Sequence, residues 1–153
     1  MNKLINLPDD YNYDPNDFNF IERNFSVEKL VGLISNNKLI LGENKWDIRM
    51  STIFIESILV RIPTIPLYLE NTGNYYKVLD GNGRLFSLKL LLVNQYNFGE
   101  FDYLTELNNL KFYQLSRKYQ RRILETDLTI HIIELGTPQF IVHNIRKRLG
   151  KIT

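Results

Sequence analysis

The chain has 153 residues, of which 44% are hydrophobic and 12% aromatic, and its formal net charge is +2. Such a composition is typical of one folded domain rather than a disordered chain, and the absence of cysteine excludes a disulfide framework, thiol catalysis and cysteine-ligated zinc. No apolar run approaches the roughly 18 residues of a membrane-spanning helix, and the first residues lack an apolar signal-peptide core, so we expect a cytoplasmic protein.

The first half of the chain predicts an N-terminal arm, two helices and a short strand. Residues 1–24 are rich in Asn, Asp and Tyr, which is typical of an extended arm, and the folded domain is expected over residues 25–153. Ser26 is predicted to cap a helix over Val27–Ser35. A turn, a short strand and a loop follow, and a second helix is predicted over Ser51–Leu59, before the prolines of the RIPTIP segment.

The second half predicts a hairpin, a strand and three helices. These elements are, in chain order, strands Leu67–Glu70 and Tyr75–Leu79, a helix over Arg84–Asn94, a basic helix capped by Ser116, a strand over Leu128–Glu134 and a helix that begins at Thr137–Pro138 and ends at Gly150. The strand LTIHIIE is apolar on both faces, which indicates a central position in the sheet. Helices and short strands interleave, so the expected fold class is α+β, with a small mixed sheet and helices packed around it.

One tight turn stands out, because Asp80-Gly81-Asn82-Gly83-Arg84 connects a predicted strand directly to a predicted helix. Gly81 and Gly83 permit positive φ and a close approach of the backbone to a ligand. The helix N-terminus offers unpaired N–H groups, and the Arg84 guanidinium is a planar donor suited to phosphate oxygens. Asp80 could cap the helix or help to hold Mg²⁺ with a nucleotide. The alternative is purely structural, with Asp80 as a cap and Arg84 paired with Glu56 or Glu70.

Four blocks of sequence carry a resemblance to a known family. They read SVEKLVGLI, KWDIRMSTIFIESILVRIPTIPLYL, YYKVLDGNGRLFSL and LKFYQLSRKYQRRILETDLTIHIIE. In this order and spacing they resemble the N-terminal domain of the GmrSD-type modification-dependent restriction endonucleases, a domain of the ParB/sulfiredoxin-like fold. The resemblance runs from about Phe25 to Arg148. Since the family domain normally extends further, the chain is expected to be truncated at its C-terminus.

The resemblance implies nucleotide chemistry at the tight turn. Relatives in the family are NTP-dependent endonucleases of phage defence, and their turn reads Asp-Gly-Gln-Gln-Arg. Asp80, Gly81 and Arg84 match it, while Gly83 replaces the second Gln. The resemblance therefore implies that Gly81, Asn82, Gly83 and Arg84 bind a nucleoside triphosphate, with Mg²⁺ as a further cofactor.

The chain departs from the family at other polar positions. Leu41 and Gly42 occupy the places of a Gln-Arg pair before Trp46, and Gly150 occupies the place of an Asn. Weak or absent hydrolysis is the expected result. The alternative is a competent enzyme in which Asn82 does the work of the missing Gln.

Two further side chains are candidates near the turn. Glu56 follows a predicted buried residue on its helix and could act with Asp80 in catalysis, by orienting Arg84 or a metal-bound water. Its alternative is a surface charge on an amphipathic helix. Trp46 could stack on a base or a guanidinium, but a lone Trp is more often part of a core.

The basic C-terminal third predicts a second kind of contact. Residues 111–153 carry nine bases and three acids. Arg117, Lys118, Arg121 and Arg122 group along one side of a helix and are candidate DNA contacts without sequence specificity. The rival interpretations are solvated helix faces and a DNA- or partner-binding module without nucleotide chemistry. The His-rich nuclease part of the family is absent here, so we expect a separate nuclease subunit or domain and no DNA cleavage by this chain alone.

Overall fold

Five strands pair into one mixed sheet, and five α-helices pack around it. A computed structural model of the chain describes residues 7–93 and 99–152. Within these residues the elements are β1 (Phe20–Ser26), α1 (Val27–Ser35), β2 (Leu39–Ile40), α2 (Ile48–Leu59), β3 (Leu67–Asn71), β4 (Tyr76–Asp80), α3 (Asn82–Leu92), α4 (Arg117–Leu124), β5 (Asp127–Ile133) and α5 (Gln139–Ile152). The predicted α+β class is confirmed.

The strand order across the sheet is β1-β5-β3-β4-β2. Antiparallel and parallel pairs alternate along this order, since β1 and β5 are antiparallel, β5 and β3 parallel, β3 and β4 antiparallel, and β4 and β2 parallel. The predicted hairpin of β3 and β4 and the central place of β5 are both confirmed. Leu128, Ile130 and Ile132 of β5 are buried, which explains its apolar sequence.

The predicted N-terminal arm ends earlier than residue 24. Phe20–Ser26 forms β1, which pairs along its whole length with β5, from Phe20 opposite Ile133 to Ser26 opposite Asp127. This strand is mostly polar because it lies at the edge of the sheet, where only Phe25 is buried. Residues 1–6 of the predicted arm lie outside the described residues.

The first residues of α1 and α2 are determined by their N-cap side chains. The Ser26 hydroxyl accepts a hydrogen bond from the Lys29 N–H, as predicted for α1. α2 begins three residues before the predicted Ser51, because the Asp47 carboxylate caps it by accepting from the Met50 N–H.

Two predicted helix ends differ from the structure. Gly150 was expected to end the last helix, but α5 continues through it to Ile152. α3 ends at Leu92, and the predicted end at Asn94 lies outside the described residues.

The core fixes α3 and the turn before it. Leu85, Leu88 and Leu91 of α3 are buried, as are Leu67 and Leu69 of β3.

In the described part of the chain, no helix combines the length and the apolar character that crossing a membrane requires.

Candidate functional site

The turn between β4 and α3 is built on Gly81. Its φ of +118° lies in the left-handed region, and a Cβ at this position would overlap the Leu67 side chain. α3 begins at Asn82, two residues before the prediction, and no side chain caps it, so Asp80 is not the cap. The first N–H groups of the helix therefore have no capping side chain.

Gly83 serves packing rather than ligand access. A Cβ on Gly83 would overlap the indole ring of Trp46. Trp46 itself is partly buried against the hydrophobic core and meets Phe54 edge-on, with 5.7 Å between the ring centroids. Trp46 therefore has the contacts expected of a core residue. Its ring occupies the space beside the Cα of Gly83 that a phosphate was expected to approach.

Arg84 is an internal anchor, and its predicted role as a phosphate ligand stays a prediction. Its guanidinium donates to the carbonyl oxygens of Ile65 and Pro66 and to the Asp80 carboxylate, the last at 3.3 Å. The residue is only 8% exposed, and this burial lowers the pKa of Arg84 while the Asp80 charge opposes the shift. The purely structural alternative foresaw a paired Arg84, but the partner is Asp80 rather than Glu56 or Glu70.

Asn82 connects the turn to the loop before α2. Its side-chain oxygen accepts a hydrogen bond of 2.6 Å from the Gly42 N–H. Gly42 is one of the positions where the resembled family has a polar side chain, so the fold brings this position beside the Asp-Gly-x-x-Arg turn.

A cleft of about 1020 Å³ opens over the turn. Gly81, Asn82 and Gly83 lie at its wall, as do three cationic side chains, Lys45, Lys77 and Arg146. None of these cations forms a salt bridge with another described residue. The apolar part of the wall includes Trp46, Met50, Ile53, Phe54 and Ile65. The sequence patterns did not single out Lys45 or Lys77, since each has no cation next to it, and Arg146 is part of the run Arg146-Lys147-Arg148 near the end of the last helix.

Two carboxylates, Asp80 and Glu43, also line the cleft. One oxygen of Asp80 is held by Arg84, at 3.3 Å, which leaves the other for a metal. Among the described residues no group of three or more acidic or histidine side chains could hold a metal ion by itself. The carboxylate set therefore fits Mg²⁺ only as the partner of a phosphate ligand, which is the usual way in which proteins bind this ion.

Glu56 is buried inside the protein, so the alternative of a surface charge is wrong. Its carboxylate accepts hydrogen bonds of 2.8–2.9 Å from the backbone N–H groups of Asp102, Tyr103 and Leu104, and the residue is 5% exposed. It does not line the cleft, and its catalytic role stays a prediction. It binds the segment after the undescribed residues 94–98 to α2.

Two other side chains of α2 hold the same segment. Thr52 accepts from the Gly99 N–H at 3.2 Å, and Arg49 donates to the Glu100 carbonyl and to Asp102 at 2.9 Å each. No local sequence pattern indicates this attachment, because about fifty residues separate the partners.

The four predicted DNA-contact residues differ in their exposure and in their partners within the protein. Arg117 is exposed. Arg121 is exposed and paired with Glu125 at 3.1 Å, and Lys118 lies 5.8 Å from the centre of the Tyr119 ring. Arg122 is partly buried and donates to the Leu59 carbonyl at 3.0 Å, so it holds α4 to the end of α2. The DNA contact stays a prediction for these residues.

Comparison of the chain with family models, with curated proteins and with solved structures gives no match.

Proposed function

We propose that this chain is the nucleotide-binding domain of a GmrSD-type phage-defence restriction system, with a ParB/sulfiredoxin-like fold. It binds a nucleoside triphosphate in the cleft over the Asp80–Arg84 turn, hydrolyses it weakly or not at all, and does not cleave DNA by itself. A nuclease subunit or domain outside this chain supplies cleavage, and the system works in the cytoplasm. The proposal is supported by the origin of the residues that line the cleft. All but three of them belong to the second and third of the four sequence blocks that resemble the family.

One observation carries the proposal, namely that an uncapped helix N-terminus opens into a cleft with three cations that form no salt bridge with a described residue. N–H groups and the helix dipole at such an end favour an anion. Lys45, Lys77 and Arg146 add positive charge beside it. The volume of about 1020 Å³ lies at the upper end of the usual range of ligand sites, which is roughly 300–1,000 Å³, and it accommodates a nucleotide.

Within this cleft the parts of a nucleotide have different partners. The phosphates lie toward Asn82 and the three cations, and Asp80 is the residue that would help to hold Mg²⁺, which would neutralise phosphate charge. The base lies toward the apolar wall of Trp46 and Ile53. Arg84 acts from beneath, because its contacts to Ile65 and Asp80 keep the rim of the cleft in place.

The partners of the carboxylates near the cleft agree with weak or absent hydrolysis. Glu56 is enclosed by three N–H groups and cannot reach a nucleotide, and Asp80 is engaged by Arg84. Leu41 and Gly42 supply no polar side chain at the loop that approaches Asn82.

Titration calorimetry with ATP, GTP, UTP and CTP in the presence of Mg²⁺ tests the proposal. We expect saturable heat with at least one of them and a marked loss in Lys77→Ala. Lys147→Ala is the matched control, since Lys147 is an exposed lysine outside the cleft. The absence of heat with every nucleotide, or equal affinities in the parent and Lys77→Ala, would contradict it. A phosphate-release assay on the same samples distinguishes weak hydrolysis from a competent enzyme.

A further inference from the structure

A second opening, of about 650 Å³, lies between α4 and the end of α2. We call it the basic groove. All seven lining residues have polar side chains, four cationic and two carboxylate, and they are Arg61, Lys118, Arg121, Arg122, Glu125, Thr126 and Asp127. The groove shares no lining residue with the cleft.

Arg61 occupies a backbone position that favours glycine. It follows the C-cap of α2 with a φ of +65°, its N–H bonds to the Ile58 carbonyl, and the N–H of Ile62 bonds to the Ser57 carbonyl. This pair of bonds is the Schellman motif, in which the left-handed residue is usually Gly and sometimes Asn. A long cationic side chain here is unfavourable for the backbone, and such departures from local preference concentrate at functional positions.

The same motif elsewhere in the chain shows the usual choice. Asn37 follows the C-cap of α1 with a φ of +57°, and its N–H bonds to the Ile34 carbonyl while that of Lys38 bonds to the Leu33 carbonyl. The two helix ends thus have equivalent bonds, and only the one beside the basic groove carries an arginine.

Three of the groove cations are available to a ligand. Arg61 and Lys118 form no salt bridge with any described residue. Arg121 pairs with Glu125, but both side chains are more than 60% exposed, so this pair is weak and can exchange for a stronger anion. Arg122 is engaged by the Leu59 carbonyl and fixes the floor of the groove.

We infer that the basic groove binds the phosphodiester backbone of a nucleic acid, with Arg61, Lys118 and Arg121 as the phosphate contacts. The cations are exposed and come from two separate elements, which suits an extended polyanion rather than a single enclosed phosphate. No aromatic or apolar side chain lines the groove, so bases are not read and binding is independent of sequence. Of the predicted DNA-contact residues, Arg117 lies outside the groove and Arg61 is new.

Fluorescence anisotropy with a labelled DNA duplex, over a series of salt concentrations, tests the groove. Three phosphate contacts predict a slope of log K against log salt of about −2.7, and removal of one contact reduces it by about 0.9. We expect Arg61→Gly to weaken binding roughly five- to ten-fold at 0.1 M salt. Because glycine relieves the left-handed backbone, the same variant should melt at the same or a higher temperature than the parent.

Asn37→Gly is the matched control, since it makes the same backbone change at the other helix end. It should leave binding unchanged. Lys118→Gln is the second groove variant and should weaken binding as Arg61→Gly does, while Arg117→Gln should have no effect. Parallel titrations with duplex RNA and single-stranded DNA identify the preferred nucleic acid.

Several outcomes would overturn the inference. They are no binding to any nucleic acid by the parent, equal affinities of the parent and Arg61→Gly, and binding to vesicles of anionic lipid without binding to nucleic acid. If calorimetry shows no nucleotide binding while DNA binding is intact, only the proposed nucleotide function is contradicted, because the two sites share no lining residue.

Discussion

The backbone of Gly83 lies directly against the indole ring of Trp46, so that any side chain at position 83 would overlap the ring. This contact joins the loop before α2 to the first turn of α3, and both elements form walls of the cleft. Trp46 continues the contact into the core through Phe54. The shape of the cleft therefore depends on a glycine that the sequence pattern had linked to phosphate access.

Gly83→Ala should destabilise the protein by about 1–3 kcal/mol, because the new methyl group forces the indole from its place. Gly32→Ala is the control, since a Cβ there meets no atom within 4 Å and the helix interior gains about 0.5–1 kcal/mol from the same change. Urea denaturation of both variants measures the contrast. A Gly83→Ala variant as stable as the parent would refute the contact.

Glu56→Gln should cost about 1–3 kcal/mol, because an amide NH₂ would face one of the three backbone N–H groups that the carboxylate now satisfies. Hydrogen exchange at Asp102, Tyr103 and Leu104 should accelerate in this variant. Glu106→Gln, at a nearby exposed position, should change neither quantity. If Glu56→Gln instead kept its stability and abolished a nucleotide reaction, the catalytic role would return.

Arg84→Lys should destabilise the protein by about 1–3 kcal/mol, since an ammonium cannot satisfy two carbonyls and a carboxylate in the geometry of the guanidinium. Arg49→Lys makes the same change in an exposed pair with Asp102, where both side chains are more than half exposed, and should cost at most about 1 kcal/mol. Thermal melts of the two variants give the comparison. Equal losses would mean that Arg84 is not an internal anchor.

Trp46 provides a reporter for the cleft, because it is the only tryptophan of the chain. Addition of a bound nucleoside triphosphate with Mg²⁺ should change its fluorescence with a saturable dependence. Lys77→Ala should shift the midpoint about ten-fold or more to higher concentration, the equivalent of one charged hydrogen bond. A midpoint that does not move would place the ligand elsewhere.

Local signals predicted most of the fold. The Ser26 and Ser116 caps, the Leu67–Asn71 and Tyr76–Asp80 hairpin and the apolar β5 are all determined by neighbouring residues, and the structure has them where the sequence placed them within one or two positions. β1 was missed because an edge strand buries one face weakly, so its sequence resembles an irregular segment.

The contacts of the site depend on partners that no local pattern reveals. Arg84 finds the carbonyls of Ile65 and Pro66, which lie 19 and 18 residues away, and Glu56 finds N–H groups 46–48 residues away. A backbone carbonyl or N–H has the same chemistry in every residue, so the sequence cannot show which one a buried charge will meet. The location of the cleft at the Asp80–Arg84 turn was foreseeable, but the identity of its free cations was not.

The central claim is that a nucleoside triphosphate binds at the N-terminus of α3, and an NMR titration of the ¹⁵N-labelled protein with Mg²⁺ and nucleotide tests it most directly. The account predicts saturable shifts of the backbone amides of Asn82 and Gly83 and of the Trp46 indole N–H, with the Arg61 amide unchanged. A titration in which these resonances stay in place would contradict it.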